Sequence, residues 1–321
     1  MRDAHGREVN YLRLSVTDRC NLRCRYCMPA AGVPTAAHED ILRYEELLRV
    51  ARAAVALGID RFKVTGGEPL VRRGIADFLR QLKALPGVHQ VTLTTNGLLL
   101  PALLREPADA LPDAVNISLD TRNNAQYAAL TRSAHTADEV LRAVRQCAAV
   151  LPTKINAVLL PETAAQLVPL ASLARELPVD VRFIERMPLG VSAGTSAAHG
   201  GTLTRLQAAF PALAPVAERR GNGPARYFTA PELRGCLGLI EAVSHRFCAD
   251  CNRVRLTSQG LLKPCRCYAE GVDLRALLRG GADDAALTEA LRQAVWRKPA
   301  AHCFSQQDGV TEHHSMSQIG G

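Results

Sequence analysis

The chain has 321 residues, room for one large domain or a domain with an extension, and 47% of them are hydrophobic. It carries 39 Lys and Arg against 31 Asp and Glu, a net charge of +8, while aromatic residues make up only 4%. No apolar run reaches the roughly 20 residues of a spanning helix, which excludes a helical membrane protein, and so few aromatics argue against a base-stacking nucleic-acid groove. A phosphorylated small molecule held by a few arginines suits this basic balance better than nucleic acid or a membrane. Met1 to Asn10 are polar and charged, so no secretory leader is expected and the cytoplasm is the expected compartment.

Short β-like runs alternate with helical stretches. Strands are expected at 11–17, 61–65, 91–95, 114–120, 153–160 and 179–187. Helices are expected between them at 44–57, 75–85, 138–150 and 164–177, with a short piece at 101–105. Thr136 followed by Glu139 offers a capping box for the helix at 138–150. Such alternation gives a parallel sheet with right-handed crossovers. The expected fold is α/β, a partial (β/α)6-type TIM barrel over residues 1–200, with a C-terminal extension over 201–321. Segment 191–201 is small and polar, and is read as a loop.

The strand faces carry more. One face reads Arg13/Ser15/Thr17, Lys63/Thr65, Thr92/Thr94, Asn116/Ser118/Asp120 and Lys154/Asn156. The other reads Leu12/Leu14/Val16, Phe62/Val64, Val91/Leu93, Val115/Ile117/Leu119 and Ile155/Ala157/Leu159. A closed eight-stranded barrel fills its centre with branched apolar side chains. A face that stays polar through five strands predicts a wider, open barrel around a wet cavity. The sixth strand is mixed, with Arg182 and Arg186 opposite Glu185 and Met187. Lysine occurs only at 63, 83, 154, 263 and 298, so the two inside strands stand out.

Ten cysteines are many for a reducing compartment, and their clustering favours metal ligation over a disulfide framework. Cys20, Cys24 and Cys27 have Cys-x3-Cys-x2-Cys spacing just after the first strand. Three thiolates without a second nearby pair favour an iron–sulfur cluster with one open iron over structural zinc. Arg23 and Arg25 are placed to offset cluster charge. Cys248 and Cys251, then Cys265 and Cys267, read equally as a zinc ribbon. Cys147, Cys236 and Cys303 stand alone and read as small buried hydrophobes. Gly66-Gly67 alone would be an ordinary tight turn.

The first trio, with Tyr26 before its last cysteine and Gly66-Gly67-Glu68-Pro69 after the second strand, resembles the radical S-adenosylmethionine (SAM) superfamily. The resemblance implies a [4Fe–4S] cluster on Cys20, Cys24 and Cys27 that cleaves SAM to a 5′-deoxyadenosyl radical. It places Tyr26, Gly67, Ser118 and Met187 at SAM. Phe247-Cys248-x2-Cys251-Asn252-Arg253-x-Arg255, a later Cys265 and the terminal Gly320-Gly321 are similar to one branch, the GTP 3′,8-cyclases of molybdenum cofactor biosynthesis. That branch implies a second [4Fe–4S] cluster on Cys248, Cys251 and Cys265, with Cys267 outside the ligand set. It implies GTP contacts from Arg13, Lys63, Thr94, Lys154, Arg253, Val254 and Arg255, and a tail, Gly320-Gly321, reaching into the cavity. The implied reaction joins C3′ of GTP to C8 of guanine, giving (8S)-3′,8-cyclo-7,8-dihydro-GTP. The implied partners are an electron donor and a downstream cyclic pyranopterin synthase; monomer and homodimer both stay open. The competing readings are a peptide-maturing radical SAM enzyme, a zinc-bearing nucleic-acid binding protein, and an inactive homologue.

Overall fold

The computed structural model describes residues 1–193, 201–218, 220–304 and 309–320. Six strands lie parallel and in sequence order: β1 (Tyr11–Ser15), β2 (Arg61–Thr65), β3 (Gln90–Thr95), β4 (Ala114–Ser118), β5 (Thr153–Leu159) and β6 (Val179–Glu185). Six further strands follow: β7 (Ala214–Pro215), β8 (Arg226–Thr229), β9 (Leu237–Ile240), β10 (Arg253–Leu256), β11 (Leu261–Lys263) and β12 (Val272–Asp273). They do not form a separate layer. β10 pairs parallel to β1 at one edge, β9 pairs parallel to β6 at the other, and antiparallel strands finish each side. The result is one open twelve-stranded sheet in the order β12-β11-β10-β1-β2-β3-β4-β5-β6-β9-β8-β7.

The period-2 pattern sets which side is dry. Leu12, Leu14, Val16, Phe62, Val64, Val91, Leu93, Val115, Ile117 and Ile155 are fully buried in the core shared with the helices. Those helices are α1 (Tyr44–Ala56), α2 (Ile75–Lys83), α3 (Leu100–Leu103), α4 (Asn124–Thr131) and α5 (Ala137–Ala148). After β5 come α6 (Leu167–Ala171) and α7 (Leu173–Glu176), and in the extension α8 (Thr202–Ala209), α9 (Leu274–Arg279), α10 (Asp284–Trp296) and α11 (Met316–Ile319). Thr136 and Glu139 form the capping box of α5, with Glu139 N–H donating to Thr136 Oγ1 at 3.3 Å and Thr136 N–H to Glu139 at 2.7 Å.

Two expectations need correction. The helix expected at 164–177 is broken into a 3-10 segment, Pro161–Gln166, and the short α6 and α7, because Pro169 cannot donate within the run. α4 was not expected at all. Its buried side chains are only Tyr127, Leu130 and Thr131, too few to draw a periodic stripe. It is nonetheless central to the site, as described next.

Candidate active site

The polar strand face lines a cavity of about 390 Å³, within the range of small-molecule sites. Loops after the strands close its rim, as in parallel α/β folds generally. All six cysteines of the two trios face it, together with Tyr26, Gly67, Ser118, Met187, Arg13, Lys63, Thr94, Lys154, Arg253, Val254 and Arg255.

The first cysteine loop is seated on α4. Arg23 and Arg25 N–H groups donate to the Thr131 and Leu130 carbonyls, each at 2.9 Å. α4 ends at Arg132, whose positive φ of 50° swings its guanidinium back to the Arg23 and Met28 carbonyls at 3.3 and 3.1 Å. Arg25 itself is exposed, and Arg23 donates to the Cys20 and Leu22 carbonyls at 2.7 and 3.0 Å. The other side of the loop is held by the Gly-Gly-Glu run. Gly67 N–H donates to Thr17 O at 2.7 Å and Glu68 N–H to Arg19 O at 2.8 Å. A Cβ on Gly66 would meet Thr17 O, and one on Gly67 would meet the Asp18 and Arg19 carbonyls. These glycines are required by close backbone approach.

Two carboxylates among the described residues line the cavity, and both are engaged. Glu68 accepts from Thr95 Oγ1 (2.8 Å), Asn96 N–H (2.6 Å) and Leu70 N–H (3.0 Å), and burial pushes it up to about 7. Asp120 accepts from Tyr26 Oη at 2.8 Å and Val158 N–H at 2.7 Å, and burial pushes it up to about 6. Against them stand nine cations: Arg13, Lys63, Lys154, Arg182, Arg220, Arg253, Arg255, Arg266 and Lys298. Lys154 is paired with Asp180 at 2.8 Å and donates to Tyr227 Oη at 3.0 Å. Burial, with Arg182, Arg13, Lys154 and Arg253 as charged neighbours, pushes the Lys63 ammonium well down. Cations gathered this way call for a polyanion.

The second trio draws on distant chain. Arg7, ion-paired with Asp3 at 2.6 Å, donates to the Cys248 carbonyl at 2.8 Å, and His302 N–H donates to Cys248 Sγ at 3.4 Å. Burial would raise the Cys251 thiol, but Arg253 and Lys298 outweigh it and bring it down to about 7. In the first trio burial dominates, pushing Cys20 up to about 11 and Cys27 to about 12, so a bound cationic group is what would hold those sulfurs as thiolates. Among the described residues no three His, Cys, Asp or Glu gather tightly enough for a single ion. Cys303, read from sequence as solitary, is instead disulfide-bonded to Cys267, which is fully buried and does not line the cavity. Cys147 and Cys236 are buried and free.

The tail borders the cavity, which Met316 and Ser317 line. Gly320 O accepts from Arg255 Nη1 at 2.7 Å, and the left-handed φ of Gly320, +77°, sets it against Ser15. Gly321 lies outside the described residues. Arg182, Arg220, Arg266 and Lys298 were missed as cavity residues. Arg182 was findable: it pairs in register with Asn156 and donates to Asn116 Oδ1 at 2.5 Å, so it shares their face. Arg266 and Lys298 lie on loops, where no periodicity points.

A family model described as Radical SAM superfamily matches residues 14–174, and one described as Molybdenum Cofactor Synthesis C matches 179–304. A GTP 3′,8-cyclase of Geobacter sulfurreducens is 45% identical over 99% of both chains, and one of Moorella thermoacetica 42% identical over the whole of both. Among solved structures, Streptococcus suis SuiB is similar at a TM-score of 0.61 and 16% identity, over 98% of this chain and 79% of its own; this shows the fold alone.

Proposed function

We propose a function from one premise: this chain belongs to the GTP 3′,8-cyclase family of radical SAM enzymes. It is a lyase that converts GTP to (8S)-3′,8-cyclo-7,8-dihydroguanosine 5′-triphosphate, the first step of molybdenum cofactor biosynthesis. The observation that carries this is the full-length match to enzymes of that name, and the cation-lined cavity is consistent with a triphosphate. The superfamily's cofactors are SAM and an iron–sulfur cluster; when bound, they supply the 5′-deoxyadenosyl radical that removes hydrogen from C3′ of GTP.

The finer assignments are our reading. Cys20, Cys24 and Cys27 would hold the cluster that meets SAM, and Cys248, Cys251 and Cys265 a second [4Fe–4S] cluster on the guanine side. Tyr26, held by Asp120, would border SAM with Gly67, Ser118 and Met187. Arg13, Lys63, Arg253 and Arg255, with Thr94, Val254 and Lys154, would bind GTP. Arginine forks suit the triphosphate, and Lys63 acts as a point charge. Fixing the triphosphate at several cations holds the ribose in one orientation, which is the condition for C3′ and C8 to react with each other. Gly320 and Gly321 would reach the same ligand. An electron donor and a downstream cyclic pyranopterin synthase complete the partners, and the division near residue 200 would set the radical SAM barrel apart from the extension that carries the second cluster and the tail. No general base is assigned.

The test is anaerobic reconstitution with iron and sulfide, then incubation with SAM, dithionite and GTP. The expected product has the mass of GTP, and 5′-deoxyadenosine forms in step with it. SAM cleavage indifferent to GTP would remove the substrate assignment.

A further inference from the structure

We propose that Asp180 is a positioning residue for GTP: from behind the cavity wall it fixes two cations that line it, Lys154 and Arg220, and so brings Arg220 into the GTP contacts. This rests on the reading of Lys154 as a GTP contact. Lys154 of β5 and Asp180 of β6 are in register, and the Lys154 ammonium donates to Asp180 Oδ2 at 2.8 Å. Asp180 Oδ1 accepts from Arg220 Nη2 at 3.2 Å and from Cys236 N–H at 3.1 Å. Lys154 and Arg220 both line the cavity, whereas Asp180 and Tyr227, each buried, do not. Tyr227 Oη accepts from the same ammonium at 3.0 Å, and its ring centroid lies 4.8 Å from it. Arg220 opens a turn, 220–224, that lies wholly on the cavity wall. Asn222 Nδ2 pins that turn to Gln90 Oε1 of β3 at 2.6 Å, and a Cβ on Gly221 would lie 3.7 Å from Lys154 Nζ.

An ammonium has three donors; Asp180 and Tyr227 take two and leave one for a ligand. Lysine and arginine side chains lose rotamer freedom when a ligand immobilises them, and a carboxylate that holds them beforehand removes much of that cost. One carboxylate serves two cations here, so the group keeps a net positive charge for an anion. The charge of Asp180 itself opposes a phosphate, but it stands off the wall while the cations stand on it. The Arg220 side chain is 43% exposed, and a pair with such a partner contributes little to stability, so holding the fold together is a poor account of it.

The experiment measures Kd for GTP by equilibrium dialysis, and kcat at saturating GTP, on the anaerobically reconstituted full-length protein, with iron counted in each variant. Asp180→Asn keeps an acceptor for the Cys236 N–H and loses the charge. Its Kd should rise roughly tenfold while kcat changes by less than about twofold. Arg220→Ala and Lys154→Met should each weaken GTP binding as well. In a chain already carrying both of those substitutions, adding Asp180→Asn should weaken GTP no further, because the side chains it acts through are gone. An equal loss on that background, or an unchanged or tighter Kd in Asp180→Asn or in Arg220→Ala, would overturn the proposal. If Asp180→Asn takes up little iron, Tyr227→Phe decides in its place: about threefold weaker binding is expected, and an unchanged Kd overturns the proposal. Lys154→Met with the native Kd removes Lys154 from the GTP set and the proposal with it. Weakened binding in Lys154→Met beside an unmoved Asp180→Asn refutes the proposal alone and leaves the reading of Lys154 standing.

Discussion

At Gly67 a single hydrogen in place of a side chain lets the Gly-Gly-Glu run lie against the backbone of Asp18 and Arg19, just before Cys20. Gly67→Ala therefore acts on the cysteine loop first. Iron uptake by reconstituted Gly67→Ala should fall by at least half while far-UV circular dichroism stays native. Arg253 follows the first two cysteines of the second trio, and its guanidinium lies over the Phe247 ring, 5.3 Å from the centroid. Arg253→Ala removes one charge-assisted contact, worth about 1.5–3 kcal/mol, so KM for GTP should rise by roughly 10- to 150-fold at unchanged iron content. A KM unaffected by the substitution would take Arg253 out of the GTP set. The motif residues at this scale were legible because each was read against a motif with fixed spacing. Arg266 and Lys298 were not, because a loop residue's neighbours are set by the path of the whole chain.

Among elements, the six parallel strands β1 to β6 were legible to within about two residues at each end, since alternation is a property of consecutive positions, whereas the short strands β7 to β12 were not expected. α4 was not, since its stability comes from what rests on it: the Arg23 and Arg25 N–H groups at its last turn. The contact between α1 and α9 is a second case. Arg279 Nε lies 2.9 Å from Glu46 Oε1, and Arg43 N–H donates to Glu46 Oε2 at 2.6 Å. Burial alone would raise Glu46, but these partners outweigh it and hold it down at about 2, against 4.5 as its ordinary value. The folded form thus binds fewer protons than the unfolded chain between those values. The stabilisation is complete above pH 4.5 and is lost as pH falls toward 2. Arg279→Ala should cost about 2 kcal/mol at pH 7 in urea titration, with the difference shrinking toward zero near pH 2. A difference independent of pH would mean that lost packing, not the ion pair, is responsible.

Across the whole molecule, the extension completes the sheet at both edges and returns the tail to the cavity. Lys263 of β11 is fully buried and ion-paired with the equally buried Glu312, ahead of α11. Lys263 also donates to Ala269 O at 3.0 Å. Removing one partner leaves the other charge buried, a loss of about 3–5 kcal/mol. Lys263→Met should lower Tm by several degrees and make residues after Cys303 more open to limited proteolysis. Lys263→Met with Glu312→Leu should recover much of the stability, because no charge is then left unpaired. A double variant no more stable than the single one would argue against the ion pair as the anchor. None of the described helices is long and apolar enough to cross a membrane.

The sequence by itself determined the open parallel sheet, its polar inner face and the two cysteine trios, because periodicity and motif spacing are local properties of the chain. The family and the chemistry of its site could be read from those same runs. Only the tertiary structure decided that the extension joins both sheet edges, that Cys267 pairs with Cys303, and that Arg220, Arg266 and Lys298 share one cavity. The reason is physical: strand pairing, sulfur–sulfur approach and the field of a buried cation all depend on distances between residues far apart in the chain.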